Sequence, residues 1–214
     1  MEKETVVLLH GNSGSSRDMA VIAELLNGSY PVLNLDLPLH GANTAPVEEL
    51  SIQFCKESIE TFLLEQGLNR ISIVGYSDGA NIAAELCGSS ALQVKTCFLI
   101  SPNTHYQGTV LPWRVLFHLI QGFCYPFRFS QSMNVVYQRM GMMLNYIMDP
   151  TIQRHAEAFH LYFAQNDMIT VSDQLKMEEI LGVKRSVIAN KTHLNIVHST
   201  ELMDEVERVF EIPG

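Results

Sequence analysis

Short, uninterrupted apolar runs alternate with stretches of helical periodicity along most of the chain, and this alternation limits the fold more than any other feature. Thr5-Leu9, Pro31-Leu35, Arg70-Val74, Val94-Ile100, His160-Ala164 and Arg185-Ala189 read as strands. Arg17-Leu26, Ile52-Glu65, Asp78-Leu86, Ser172-Leu181 and Ile196-Phe210 read as helices. In Ile52-Glu65, one face carries Ile52, Cys55, Ile59, Phe62 and Leu63. The strand runs are continuous rather than alternating, which is the pattern of strands buried on both faces. A mostly parallel α/β sheet of about six strands follows, with helices on both faces. Ligands of such sheets sit beyond the carboxyl ends of the strands. The segments just after the strands hold His10-Gly11-Asn12, Asp36 to Gly41, Ser77, Asp167 and His193.

One region breaks the alternation. From about His105 to Arg154 no strand is legible, and five of the ten methionines fall there, with Trp113 and several Phe and Tyr. A helical insertion over the sheet is expected, within a single domain spanning residues 1–214. Trp113 and Met142 from the insertion, with Tyr76, are the candidates for lining an apolar substrate pocket. The competing expectation is that these side chains form the insertion's own packing.

The segment Gly75-Tyr76-Ser77-Asp78-Gly79 follows a strand and opens a helix. A Gly-x-Ser-x-Gly turn in that context is tight and strained, and it pushes the serine hydroxyl into the cleft. Crowding on both sides of the turn requires Gly75 and Gly79. Ala80, Ala83 and Ala84 let the helix approach the sheet. The helix start then offers N–H groups to a developing oxyanion.

A serine nucleophile needs a base, and the base needs an orienting acid. Asp167 and His193 lie in that order downstream, each in a loop after a strand. Asp149 and Asp173 are weaker acids for the role, and His198, placed inside the last helix, is a weaker base. The oxyanion hole needs two backbone donors, for which Asp78 and Asn12 are the candidates. His10 is expected to shape the Asn12 loop. The Asp78 carboxylate either benefits from the helix dipole or, if it reaches the pocket, attracts an ammonium group.

Taken together, His10-Gly11-Asn12, Asp36-Leu37-Pro38-Leu39-His40-Gly41, Gly75 to Gly79, Asn166-Asp167 and Thr192-His193 resemble the α/β-hydrolase superfamily, especially its small esterase and lipase-like members. The resemblance implies the α/β-hydrolase fold, with the insertion as a helical cap. It also implies structural roles for Asp36 and His40. Two departures stand out. The first strand begins at Thr5, so the family's N-terminal β-hairpin is expected to be absent. The glycine usual before the catalytic histidine is Thr192.

The expected activity is hydrolysis of a carboxylic ester or thioester with an apolar acyl or alcohol part, through an acyl-enzyme on Ser77. The alternatives are carbon–carbon bond hydrolysis or other chemistry on this fold, or a non-catalytic ligand-binding homologue. No metal site or organic cofactor is expected, since no zinc-ligand spacing or dinucleotide fingerprint occurs. The net charge of −9 argues against nucleic acid as a partner. No apolar run reaches the length of a membrane span, no signal peptide is legible, and no Cys-x-x-Cys pair occurs. A cytoplasmic protein with reduced thiols is expected.

Overall fold

The computed structural model describes residues 4–151 and 153–212. The apolar runs become strands β1 (Thr5–Leu9), β2 (Val32–Leu35), β3 (Arg70–Tyr76), β4 (Gln93–Ile100), β5 (Ala156–Asn166) and β6 (Arg185–Thr192). They form one sheet in the order β2-β1-β3-β4-β5-β6, with every pairing parallel. The helices are α1 (Ala20–Asn27), α2 (Ile52–Glu65), α3 (Asp78–Leu86), α4 (Leu111–Cys124), α5 (Gln131–Leu144), α6 (Val171–Leu181) and α7 (Thr200–Val209). This is the α/β-hydrolase fold. Among the described residues, no helix is long and apolar enough to cross a membrane.

Strand alternation sends neighbouring residues to opposite layers. Val6 and Leu8 pack with Ile22 and Leu26 of α1 and with Leu202 and Val206 of α7. Val7 and Leu9 face Cys55, Ile59 and Leu63 of α2, with Ala80 and Ala83 of α3 in the same cluster. Each fully buried Leu or Ile contributes up to roughly 1.5–3 kcal/mol. Helix α2 starts at Ile52 because Ser51 Oγ accepts from Phe54 N at 3.0 Å. Helix α6 ends where Gly182 takes a φ of 67°, a left-handed conformation that favours glycine.

The sheet order positions the site. From β1 the chain moves outward to β2, then returns past β1 to β3. The reversal opens a crevice at the carboxyl ends of β1 and β3, where ligands of open α/β sheets bind. Ser77 and the Gly11–Gly14 turn both lie there.

The structure differs from expectation in three places. Strand β5 begins four residues before His160, because Val94 pairs with Ala156 and Thr96 with Ala158. His160 is thus mid-strand. The last helix is not continuous. Ile196–His198 form a separate 3-10 turn, and Ser199 starts α7 afresh by accepting from Leu202 N at 3.3 Å. A 3-10 turn, Ser16–Met19, likewise precedes α1. The strandless region holds α4 and α5. Single bridges tie His105 to Ile147 and Thr109 to Ile169 at its base. All four cysteines are free and buried.

Candidate active site

Ser77 stands at the junction of β3 and α3 with φ 55° and ψ −121°. A non-glycine residue in that region is strained. Neighbours hold it there. Ser77 N donates to Ile100 O at 2.8 Å, and Ser77 O accepts from Ala80 N and Asn81 N. A Cβ on Gly75 would sit 2.4 Å from Gly79 O and 2.7 Å from Ala80 Cα. A Cβ on Gly79 would sit 2.2 Å from Leu9 O. The two glycines therefore let the turn close and let α3 press onto the end of β1.

The structure brings Asp167 and His193 to Ser77. His193 Nε2 lies 3.0 Å from Ser77 Oγ, and His193 Nδ1 lies 2.7 Å from Asp167 Oδ1. An ionised carboxylate only accepts, so Nδ1 carries the proton and Nε2 presents its lone pair to the serine. Burial by itself would raise the Asp167 pKa. The hydrogen bond and charge of His193, with donors Ser101 Oγ at 2.5 Å and Ala164 N at 3.0 Å, outweigh it and hold the carboxyl below its ordinary value. His193 follows β6 directly. Thr192 is not among the positive-φ residues, so the missing glycine imposes no strain there. Instead, Thr192 N donates to Asn195 Oδ1 at 2.7 Å.

Asn12 and Asp78, the two oxyanion-hole candidates, are joined through their side chains. Asn12 Nδ2 donates to Asp78 Oδ2 and to Arg139 O, each at 2.9 Å. Asp78 N heads α3, where no preceding turn of helix can accept from it. The Asp78 carboxylate does not reach open space. It is buried, with Asn12 and Asn81 donating to it, so the expectation that it could attract an ammonium group does not hold. Burial raises its pKa, and Asn12, His193 and Asn81 offset this only in part. Asn81 continues the network to Asn103 through two 2.9 Å bonds.

The flanking motifs brace these loops. His10 is buried; its Nδ1 bonds Gly11 O at 2.8 Å and its Nε2 accepts from Leu37 N at 3.1 Å. Burial lowers its pKa, keeping the ring neutral. Asp36 accepts from Ser16 N at 2.6 Å and Ala42 N at 2.8 Å. Its carboxyl carbon would lie 2.2 Å from a Cβ on Gly41, whose φ is 51°. Burial pushes the His40 pKa down to about 4.

The three expected pocket residues part company. Tyr76 is buried beside the triad, its hydroxyl donating to His193 O at 2.7 Å. It therefore supports the histidine loop. Met142 is buried with its sulfur 3.8 Å from that of Cys55, in the core facing α2. Trp113 packs on Phe117 along α4, with ring centres 5.7 Å apart. None of the three lines the cavity of about 640 Å³ between Leu39, Pro46, Val47, Val135, Gln138 and Arg139. Sequence reasoning also passed over Ser101, Asn81, Asn103 and Arg139. Only Ser101 carried a signal, as a polar residue directly after a strand that neighbours β3. Among the described residues, no group of three or more His, Cys, Asp and Glu could hold a metal ion.

A family model described as the alpha/beta hydrolase family matches residues 6–179. The chain belongs to that family. The match includes Asn12, Ser77 and Asp167, and His193 lies beyond it. A 2-succinyl-6-hydroxy-2,4-cyclohexadiene-1-carboxylate synthase of Pectobacterium atrosepticum is 39% identical over 82 residues, which are 36% of this chain and 30% of that protein. The chain thus spans under a third of the length of the curated relatives it matches. Among solved structures, a marine microorganism esterase superposes with a TM-score of 0.74 at 17% identity, covering 100% of this chain and 96% of its own. The type II thioesterase BorB from the borrelidin biosynthetic cluster gives 0.75 at 15% identity, covering 98% and 92%. At these identities the superpositions show the shared fold.

Proposed function

We propose that this protein is a serine hydrolase that cleaves a carboxylic ester or thioester through an acyl-enzyme on Ser77. One observation carries the reading. Ser77 Oγ, both nitrogens of His193 and Asp167 Oδ1 form an unbroken hydrogen-bonded chain of 3.0 and 2.7 Å. In the first half-reaction, Ser77 Oγ attacks the carbonyl carbon while His193 Nε2 takes its proton. The tetrahedral oxyanion accepts from Asn12 N and Asp78 N. Collapse expels the alcohol or thiol, which receives the proton from His193. In the second, water gives a proton to His193, attacks the acyl carbon and releases the acid, and Ser77 regains its proton. Asp167 holds the imidazole in the required tautomer and stabilises the imidazolium.

The α4–α5 pair acts in this reading as a cap. The cavity between Leu39 and α5 has the size of a small-molecule site. Its Leu, Val and Pro lining suits an apolar acyl or alcohol part. Arg139 links it to the site, since Arg139 O holds the Asn12 side chain.

A fluorophosphonate probe should label Ser77, as read by peptide mass spectrometry. Ser77→Ala should remove labelling and lower hydrolysis of p-nitrophenyl esters by roughly 10⁴-fold or more. Equal rates for parent and variant would exclude the serine mechanism. A preference for acetate over butyrate and longer esters would exclude the apolar cavity as the acyl site. Labelling without turnover of any ester or thioester would shift the reading to carbon–carbon bond cleavage, the direction in which the synthase relative's name points.

A further inference from the structure

Helix α4 is apolar on both sides. Trp113, Phe117, Ile120 and Cys124 face inward at helical spacing, and Cys124 is fully covered. Yet Leu111, Val115, Leu119 and Phe123, spaced four residues apart, form an outward stripe. Leu111 is 61% exposed, Leu119 65% and Phe123 66%. The turn that follows adds Phe127 and Phe129, the latter 89% exposed. A soluble helix that is apolar all round is normally buried, and large side chains in a contiguous exposed patch mark a binding face.

Charge narrows the occupant. The chain has a net charge of −9, with 23 Asp and Glu, yet none falls between Cys87 and Met148. That stretch carries Lys95, Arg114, Arg128 and Arg139. Arg128 lies at the end of the apolar stripe, its guanidinium 4.0 Å from the centre of the Tyr125 ring and 5.0 Å from that of Phe129. The nearby carboxylates, Glu48 and Glu49, line a groove with Gln121 and Tyr137. Gln121 lies about 200° around the helix from Leu119. An outward face of Leu and Phe bordered by arginine, with no carboxylate on it, complements an anionic bilayer surface. A two-fold contact between copies of this chain would instead set the stripe and its arginine against themselves, with no acid to pair.

We propose that α4 and the Tyr125–Phe129 turn form a peripheral membrane-binding face that docks the protein on anionic lipid, with Leu119, Phe123 and Phe129 entering the headgroup region. The proposal is independent of the reaction at Ser77.

Co-sedimentation with vesicles tests it. Vesicles of phosphatidylcholine with 30% phosphatidylglycerol should bind the protein roughly tenfold more tightly than phosphatidylcholine alone, and 0.5 M NaCl should remove most of that preference. The double variant Leu119→Ser/Phe123→Ser should lose sedimentation while keeping the parent's melting temperature. Arg128→Gln should lose several-fold of the preference for anionic vesicles. No sedimentation with the anionic vesicles would overturn the proposal, as would equal binding to both. A concentration-dependent dimer in light scattering that the double variant abolishes would also overturn it, by giving the face to a second copy.

Discussion

The carboxyl edge of β1 and β3 and the α4–α5 pair lie against each other and are built on opposite terms. At the edge, polar groups are buried and multiply bonded. Asp167 accepts from His193, Ser101, Ala164 and Ile169, and Asp78 from Asn12 and Asn81. On α4, large apolar groups are exposed and few polar bonds restrain them. The edge resembles a fixed instrument in which each atom's place is set by several others. The helix pair is a surface held mainly at its base and through Arg139. Precision is concentrated where charge must develop, and adaptable apolar contact where a partner or substrate must arrive.

Substitutions that respect or violate this division should differ widely. Asp167→Asn keeps the shape but favours the wrong histidine tautomer, so kcat should fall by roughly 10⁴-fold with little change in KM. Steady-state kinetics on a soluble ester would check it. Gly75→Ala should destabilise the fold by about 3 kcal/mol or more, because the new Cβ meets backbone atoms of Gly79 and Ala80 that cannot move independently. Urea denaturation would measure the loss. Asn12→Ala should cost about tenfold in kcat/KM, since it frees the oxyanion loop from Asp78 and Arg139 and leaves a buried carboxylate with one donor fewer.

Asp78→Asn acts through pH. The folded pKa of Asp78 is raised by burial, so its stabilising contribution is full below the unfolded value and is lost as pH rises through the folded one. The variant should therefore melt higher than the parent at pH 7–8, and the difference should shrink towards pH 4. Smallest of all, Leu119→Ser should shift stability by no more than about 0.5 kcal/mol in calorimetry. A large loss there would mean that α4 is as tightly specified as the strand edge, and the contrast would fail.

The same division decides how much was legible in the sequence. Thr5–Leu9, Ile52–Glu65 and Asp78–Leu86 match their expected limits, because apolar pattern, caps and turn residues agree locally. The ends of β5 and β6 were cut short. Glu157 and Asn190 look like breakers, but pairing with β4 carries β5 back to Ala156, and an irregular pairing between β5 and β6 carries β6 to Thr192. Ile196 to Phe210 keeps one apolar period across Ser199, so the new cap there was invisible. Met142 and Trp113 could not be divided between packing and pocket by residue type. That choice depends on which way α4 and α5 face, and long-range contacts such as Met142 with Cys55 fix it. Asn12's bond to Arg139 O spans 127 residues and leaves no motif.

The left-handed backbone at Ser77 has a consequence for descent as well as for chemistry. Because φ 55° and ψ −121° are imposed by β3, α3 and two glycines, the direction in which the side chain leaves the main chain belongs to the position rather than to the serine. A thiol or a carboxylate substituted there would be delivered to the same point facing His193. The scaffold thus inherits an aim and leaves the warhead open to exchange.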